Sequence, residues 1–176
     1  MKTLLFVLLT SLAACAPEQV QYARLETNVD FRAFKTYNFM DVSSPSGTVA
    51  QGPGVDALKQ AIRRELNSRG YQQGDNPDLL VNIGVMVQDK VQTRETTIRE
   101  APRYIGQRNY HWQSQEVVVG RYEEGTATVE IVDAAHREVV WQGAVKSILT
   151  SNPTKLTKRI DDAIAALFVK YPVPAQ

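Results

Sequence analysis

Two histidines, a serine pair and two adjacent acidic pairs are the side chains from which a catalytic site would have to be built. Their spacing builds none. His111 and His136 are the only histidines, and they fall in no H-x-x-x-H or other ligand spacing, so no metal centre is expected. His136 sits in a predicted turn, where a histidine is ordinarily solvated. Ser43 and Ser44 lie in no nucleophile-elbow pattern, and Gly52-Pro53-Gly54 is no phosphate-binding glycine loop. Glu123-Glu124 and Asp161-Asp162 are chain neighbours. Neighbours on a strand point to opposite faces and neighbours on a helix diverge by about 100°, so neither pair makes an acid/base dyad. Trp141 alternates with core positions, which assigns it to packing rather than to a pocket wall. The expectation is a protein that is not an enzyme and uses no cofactor or metal.

Cys15 is different. It is the sole cysteine, so no intramolecular disulfide and no thiolate zinc cluster can form. Ahead of it, Lys2 is a short positive region and Leu4 to Leu12 an apolar run broken only by Thr10 and Ser11. That run rises roughly 14 Å as a helix, less than half a bilayer core, so it is a signal-peptide core rather than a span. Leu12-Ala13-Ala14-Cys15 resembles the bacterial lipobox. The resemblance implies cleavage between Ala14 and Cys15, a diacylglyceryl group on the Cys15 sulfur and acylation of the new amino terminus. Two or more chains anchor stably where one does not. Ala16 rather than aspartate after the cysteine implies, by likeness to other lipoproteins, delivery to the outer membrane, with the domain facing the periplasm. The expected organisation is residues 1–14 as signal peptide, 15–29 as lipidated cysteine and tether, and 30–176 as one domain.

Charge adds little. Lys and Arg number 20 against 19 Asp and Glu, and Lys2 leaves with the signal, so the remainder is formally neutral and has no global field to gather nucleic acid. One segment stands out in composition. Between Gln92 and Tyr122 lie Arg99, Arg103, Tyr104, Arg108, Tyr110 and Trp112, residue types favoured at binding hot spots. They are the candidate partner surface; the plainer reading is a β-hairpin extension with packed aromatics and solvated arginines.

The elements that would carry these residues are legible from periodicity. Asp30 can cap a helical turn through Phe34, and Lys35 to Met40 reads as a strand with Tyr37 and Phe39 on one face. Val55, Leu58, Ile62 and Leu66 define a helix over 55–69, ended by Gly70 with Tyr71 packing back. Leu79 to Val91 alternates as a strand, with its odd-numbered residues on one face. The stretch 92–120 has a weaker pattern, with part of a strand at 116–119. Ala127, Val129 and Ile131, a turn at 133–136, then Val139, Trp141 and Val145 form a hairpin. Asn152-Pro153 starts a second helix with the stripe Leu156, Ile160, Ile164, Leu167 and Phe168, reaching Tyr171 before Pro172 stops it. The fold class is α+β. A two-layer sandwich is expected, in the order β-α-β-β-β-α. Its sheet has about four strands, mostly antiparallel and mixed if the helical crossover makes the first pair parallel, with both helices on the odd-numbered face.

Three blocks resemble one family in order: Asp30-Phe31-Arg32-Ala33-Phe34-Lys35-Thr36-Tyr37-Asn38-Phe39; Pro77-Asp78-Leu79-Leu80-Val81; and Tyr122 to Thr126 with Val132-Asp133-Ala134 and Val139-Val140-Trp141-Gln142-Gly143. They are similar to the bacterial lipoproteins carrying the domain of unknown function numbered 4136. Ala127 departs from the larger aliphatic expected there, and the central segment holds less Gly and Tyr. The resemblance implies a fold and an address and carries over no catalytic residue. The leading expectation is therefore a lipid-anchored envelope module that binds a protein, peptidoglycan or lipid, and not nucleic acid. A structural or assembly accessory comes next, and a hydrolase with an unrecognised site last.

Overall fold

The apolar steps that begin at Val55 form helix α1 (Pro53–Asn67) in the computed structural model, which describes residues 19–40, 52–97, 100 and 113–176. Its buried residues are Ala57, Leu58, Ala61, Ile62 and Leu66. The chain then leaves the helix through Gly70 at φ 90°. The Gly70 amide donates to Asn67 O (3.0 Å) and the Tyr71 amide to Leu66 O (3.2 Å), the paired bonds of a left-handed helix stop. Helix α2 (Pro153–Phe168) starts as expected, with Asn152 accepting from the Lys155 amide at 3.0 Å and Pro153 in the first turn.

The strands are β1 (Gln19–Leu25), β2 (Thr36–Phe39), β3 (Gln72–Gln73), β4 (Leu79–Glu95), β5 (Glu116–Asp133) and β6 (Glu138–Ile148). They form one sheet in the order β1-β6-β5-β4-β2-β3. β2 runs parallel to both β3 and β4, and every other pair is antiparallel. The parallel β2–β4 pair across α1 matches the expected crossover. The strand count and order do not match: six strands in a mixed sheet, ordered β-β-α-β-β-β-β-α, replace about four. The first extra strand, β1, occupies part of the expected tether. It lies at the sheet edge with Gln21 to Leu25 exposed, so it shows no core alternation. The second, β3, is too short to show any period.

The core lies between the helices and the odd-numbered face of the sheet. Leu79, Val81 and Ile83 of β4, Val129 and Ile131 of β5, and Trp141 and Val145 of β6 join the stripes of α1 and α2 in one cluster. Trp141, Phe168 and Tyr171 stack with centroids 5.3–5.5 Å apart. α2 sits on β6 closely enough that a Cβ on Gly143 would lie 2.7 Å from Leu167 Cδ1. Val139 is a correction. It is 42% exposed while Val140 is buried, because the register shifts between Ile131 and Val132 and two β6 residues share one step of the ladder.

Candidate functional site

Ala14, Cys15, Arg99, Arg103, Tyr104, Arg108, Tyr110 and Trp112, together with His111, lie outside the described residues. What the structure describes is the pair of strands that leads to and from the candidate partner segment. β4 and β5 stay paired from Leu79↔Asp133 to Glu95↔Glu116. β6 leaves β5 at Glu124↔Ile148, and β2 meets β4 only at Leu79, Leu80 and Val81. Past those points the hairpin continues as a two-stranded arm. The expected strand at 116–119 is thus part of a long one, and the hairpin-extension reading describes these two strands.

The arm keeps the alternation of the core without its cover. Val87, at the foot of the arm in a row still shared with β6, and Val91, beyond it, continue the odd-numbered face of β4, and Val118 stands opposite Thr93 on that face. They are 54%, 56% and 59% exposed. Val119 is also exposed, at the place where the β4–β5 register slips. Polar contacts lace the two strands and their exit: Thr93 Oγ1 to Glu116, and Arg94 to the Glu100 carboxylate at 2.5 and 2.9 Å. The Arg94 hydrogen bonds hold the Glu100 carboxyl at about 2, with help from the Thr97 amide. At the foot of the arm the Leu149 amide donates to Glu123 O (2.8 Å) and its side chain lies over Gly125, where a Cβ would come within 2.8 Å. There an open groove of about 530 Å³ is lined by Lys90, Val91, Arg121, Tyr122 and Leu149 among others. Reading the residues singly missed the arm valines as a surface. The signal was present: the Val87–Val91 alternation runs on beyond the length two short helices can cover.

Several titratable residues singled out in the sequence are engaged locally. Glu124 pairs with Lys146 at 3.3 Å, Asp161 with Arg64, and Asp162 with Lys158 at 2.5 Å. The His136 ring is largely exposed, and its Nδ1 lies 2.8 Å from Asp133 Oδ2. That bond raises the His136 pKa and lowers that of Asp133, whose carboxylate also accepts the Ala135 and His136 amides. On the helix-free face, Glu130 accepts from Asn82 Nδ2 (2.8 Å) and Gln142 Nε2 (2.7 Å), a polar tie across β4, β5 and β6. Among the described residues no group of three or more His, Cys, Asp or Glu is placed to hold a metal ion. No helix among them is long and apolar enough to cross a membrane.

The fold is thus an α+β sheet-and-helix layer pair with a projecting hairpin, and the chain belongs to the family described as a domain of unknown function (DUF4136), whose model matches residues 21–173. No curated protein matches the sequence. Among solved structures the chain is similar to a PDZ domain protein from Parabacteroides distasonis, with a TM-score of 0.52 and 16% identity over 91% of this chain and 37% of that one. That likeness shows the fold alone, and this chain spans about a third of that protein's length. It is also similar to the PelC dodecamer from Paraburkholderia phytofirmans, with a TM-score of 0.44 and 11% identity over 82% of this chain and 92% of that one.

Proposed function

We propose that this chain is the precursor of a lipid-anchored envelope lipoprotein whose domain is a non-catalytic binding module, held at the outer membrane and facing the periplasm. One observation carries the reading: the apolar run Leu4 to Leu12 ends on small residues at the only cysteine, Cys15. The binding role is supported by the arm, which presents Val87, Val91 and Val118 to solvent and leads in sequence to Arg99, Arg103, Tyr104, Arg108, Tyr110 and Trp112. The non-catalytic role is supported by the local ion pairs that occupy Glu124, Asp161 and Asp162. Cys15→Ala should abolish palmitate labelling and leave the precursor uncleaved; a variant that still labels and fractionates with the outer membrane refutes the anchor. In-cell crosslinking of the lipidated protein, followed by mass spectrometry, should give envelope partners. Those crosslinks should be lost when the six arginines and aromatics are replaced together. One stoichiometric partner that persists through that replacement would favour an assembly accessory instead.

A further inference from the structure

β1 begins at the end of the sheet from which the arm projects. Gln19, the first residue of β1, stands opposite Lys146 of β6, which stands opposite Thr126 of β5, which stands opposite Met86 of β4. This row crosses the sheet at the foot of the arm. From Thr126 to Glu116, β5 runs on for roughly 33 Å at about 3.3 Å per residue. Cys15 precedes Gln19 by only four peptide units, which span at most roughly 14 Å when fully extended.

We infer that the β4–β5 arm rests on the phospholipid bilayer in which the lipid of Cys15 is anchored, with Val87, Val91 and Val118 in contact with the headgroup–acyl boundary. The inference depends on the lipidation of Cys15 proposed above. The short connection decides the orientation. With the arm pointing straight away from the bilayer, the body of the sheet would stand between Gln19 and the membrane. The body is roughly 27 Å tall there, from the level of Lys146 to that of Glu138, about twice the reach of the connection. An arm standing on end would outrun the connection by roughly 19 Å, so the arm lies along the bilayer. With its odd-numbered face turned to the membrane, valines that are more than half exposed in water meet an apolar medium, and burying them there is favourable. Ile148, 47% exposed at the end of β6, lies at the same end. The charges of the arm are mixed: Asp89, Lys90, Arg121 and Glu123 alternate in sign near its foot. The contact is therefore apolar rather than driven by counter-ions, and salt should not release it.

Site-directed spin labelling of the full lipidated protein in vesicles of phosphatidylethanolamine and phosphatidylglycerol tests this. Lipid occupies Cys15, so Val118→Cys and Ala135→Cys each supply one free thiol, at the arm and at the opposite end of the sheet. The label at 118 should lose most of its collisions with a water-soluble nickel chelate and gain collisions with oxygen, in low and high salt alike. The label at 135 should stay aqueous. If intact mass confirms the lipid and both labels are equally aqueous, the arm faces some other partner and this inference alone is overturned. If the mass shows no lipid, the anchoring reading falls and the inference falls with it.

Discussion

Asp78 and Thr36 exchange hydrogen bonds across the parallel β2–β4 junction: the Asp78 carboxylate accepts the Thr36 amide at 2.9 Å, and Thr36 Oγ1 accepts the Asp78 amide at 3.0 Å. The same carboxylate accepts the Lys35 amide at 2.7 Å, and the Asp78 carbonyl accepts the Ala134 amide at 2.9 Å. The three sequence blocks that carry the family resemblance therefore meet at one residue. Asp78 fastens the start of β2 and the β5–β6 turn to the start of β4.

Asp78→Ala should lower stability by about 1 kcal/mol at neutral pH, a value discounted because the carboxylate is exposed. The Lys35 and Thr36 amides hold its folded pKa below the ordinary carboxylate value, against the opposing effects of desolvation and, least, of Asp133. The unfolded chain thus binds the proton more readily, and this contribution is complete above about pH 4 and disappears as pH falls through the folded value. Urea midpoints of parent and variant should differ at pH 7, and the difference should shrink as pH falls below about 4. A difference that stays constant as pH falls would show that the carboxylate's charge is irrelevant.

The His136–Asp133 contact gives the opposite sign. The folded pKa of His136 is raised by its bond to Asp133, so the contribution of the pair is complete below the unfolded value of about 6.5 and is lost as pH rises through the folded one. A proton NMR titration should place the His136 midpoint above that of the unfolded peptide. Asp133→Asn should lower it, leaving only the smaller effects of desolvation and Glu138. An unchanged midpoint in the variant would remove Asp133 as the cause.

The helices, their stops and the hairpin turn were readable because each is written locally. Asn152-Pro153, Gly70-Tyr71 and the three-and-four spacing of Ile62, Leu66, Ile160 and Ile164 need no distant partner to be recognised. β1 was unreadable for the converse reason: it exists through its ladder with β6, and its exposed side chains record no burial. Val139 was assigned to the wrong face because a bulge shifts side-chain parity, and alternation alone assumes there is none. The arm was half visible. Its valines alternate like core, and only the length of that alternation, set against two short helices, marks part of it as uncovered.

Gly143 shows what that helix cover demands. Leu167 Cδ1 and Trp141 Cη2 stand 2.7 and 3.1 Å from where its Cβ would be. All three residues are buried, so none of them can yield without moving α2. Gly143→Val should cost about 1–3 kcal/mol through overpacking, read as a lower urea midpoint. Leu167→Ala is itself costly at this fully buried site, but it vacates the colliding atoms, so the double variant should lose less than the sum of the two single losses. Losses that simply add would refute the contact as the cause.

The last prediction marks where the core ends on one strand. Val81 and Val91 lie on the same face of β4, joined by an unbroken ladder to β5, yet Val81 is fully buried and Val91 is 56% exposed. Threonine has nearly the shape of valine and puts a hydroxyl in place of one methyl. At position 81 that hydroxyl would be taken from water among Val129, Ile131 and the helix stripes, at a cost of about 1–3 kcal/mol. At position 91 it stays hydrated, and threonine suits a strand, so the change should stay within about 0.5 kcal/mol. Urea unfolding of Val81→Thr and Val91→Thr in the unlipidated domain measures both. Equal, large losses would mean that Val91 is covered in solution and that the arm is part of the core. A small loss at 91 beside a large one at 81 would show that its apolar surface is not used for folding and is free to meet something else.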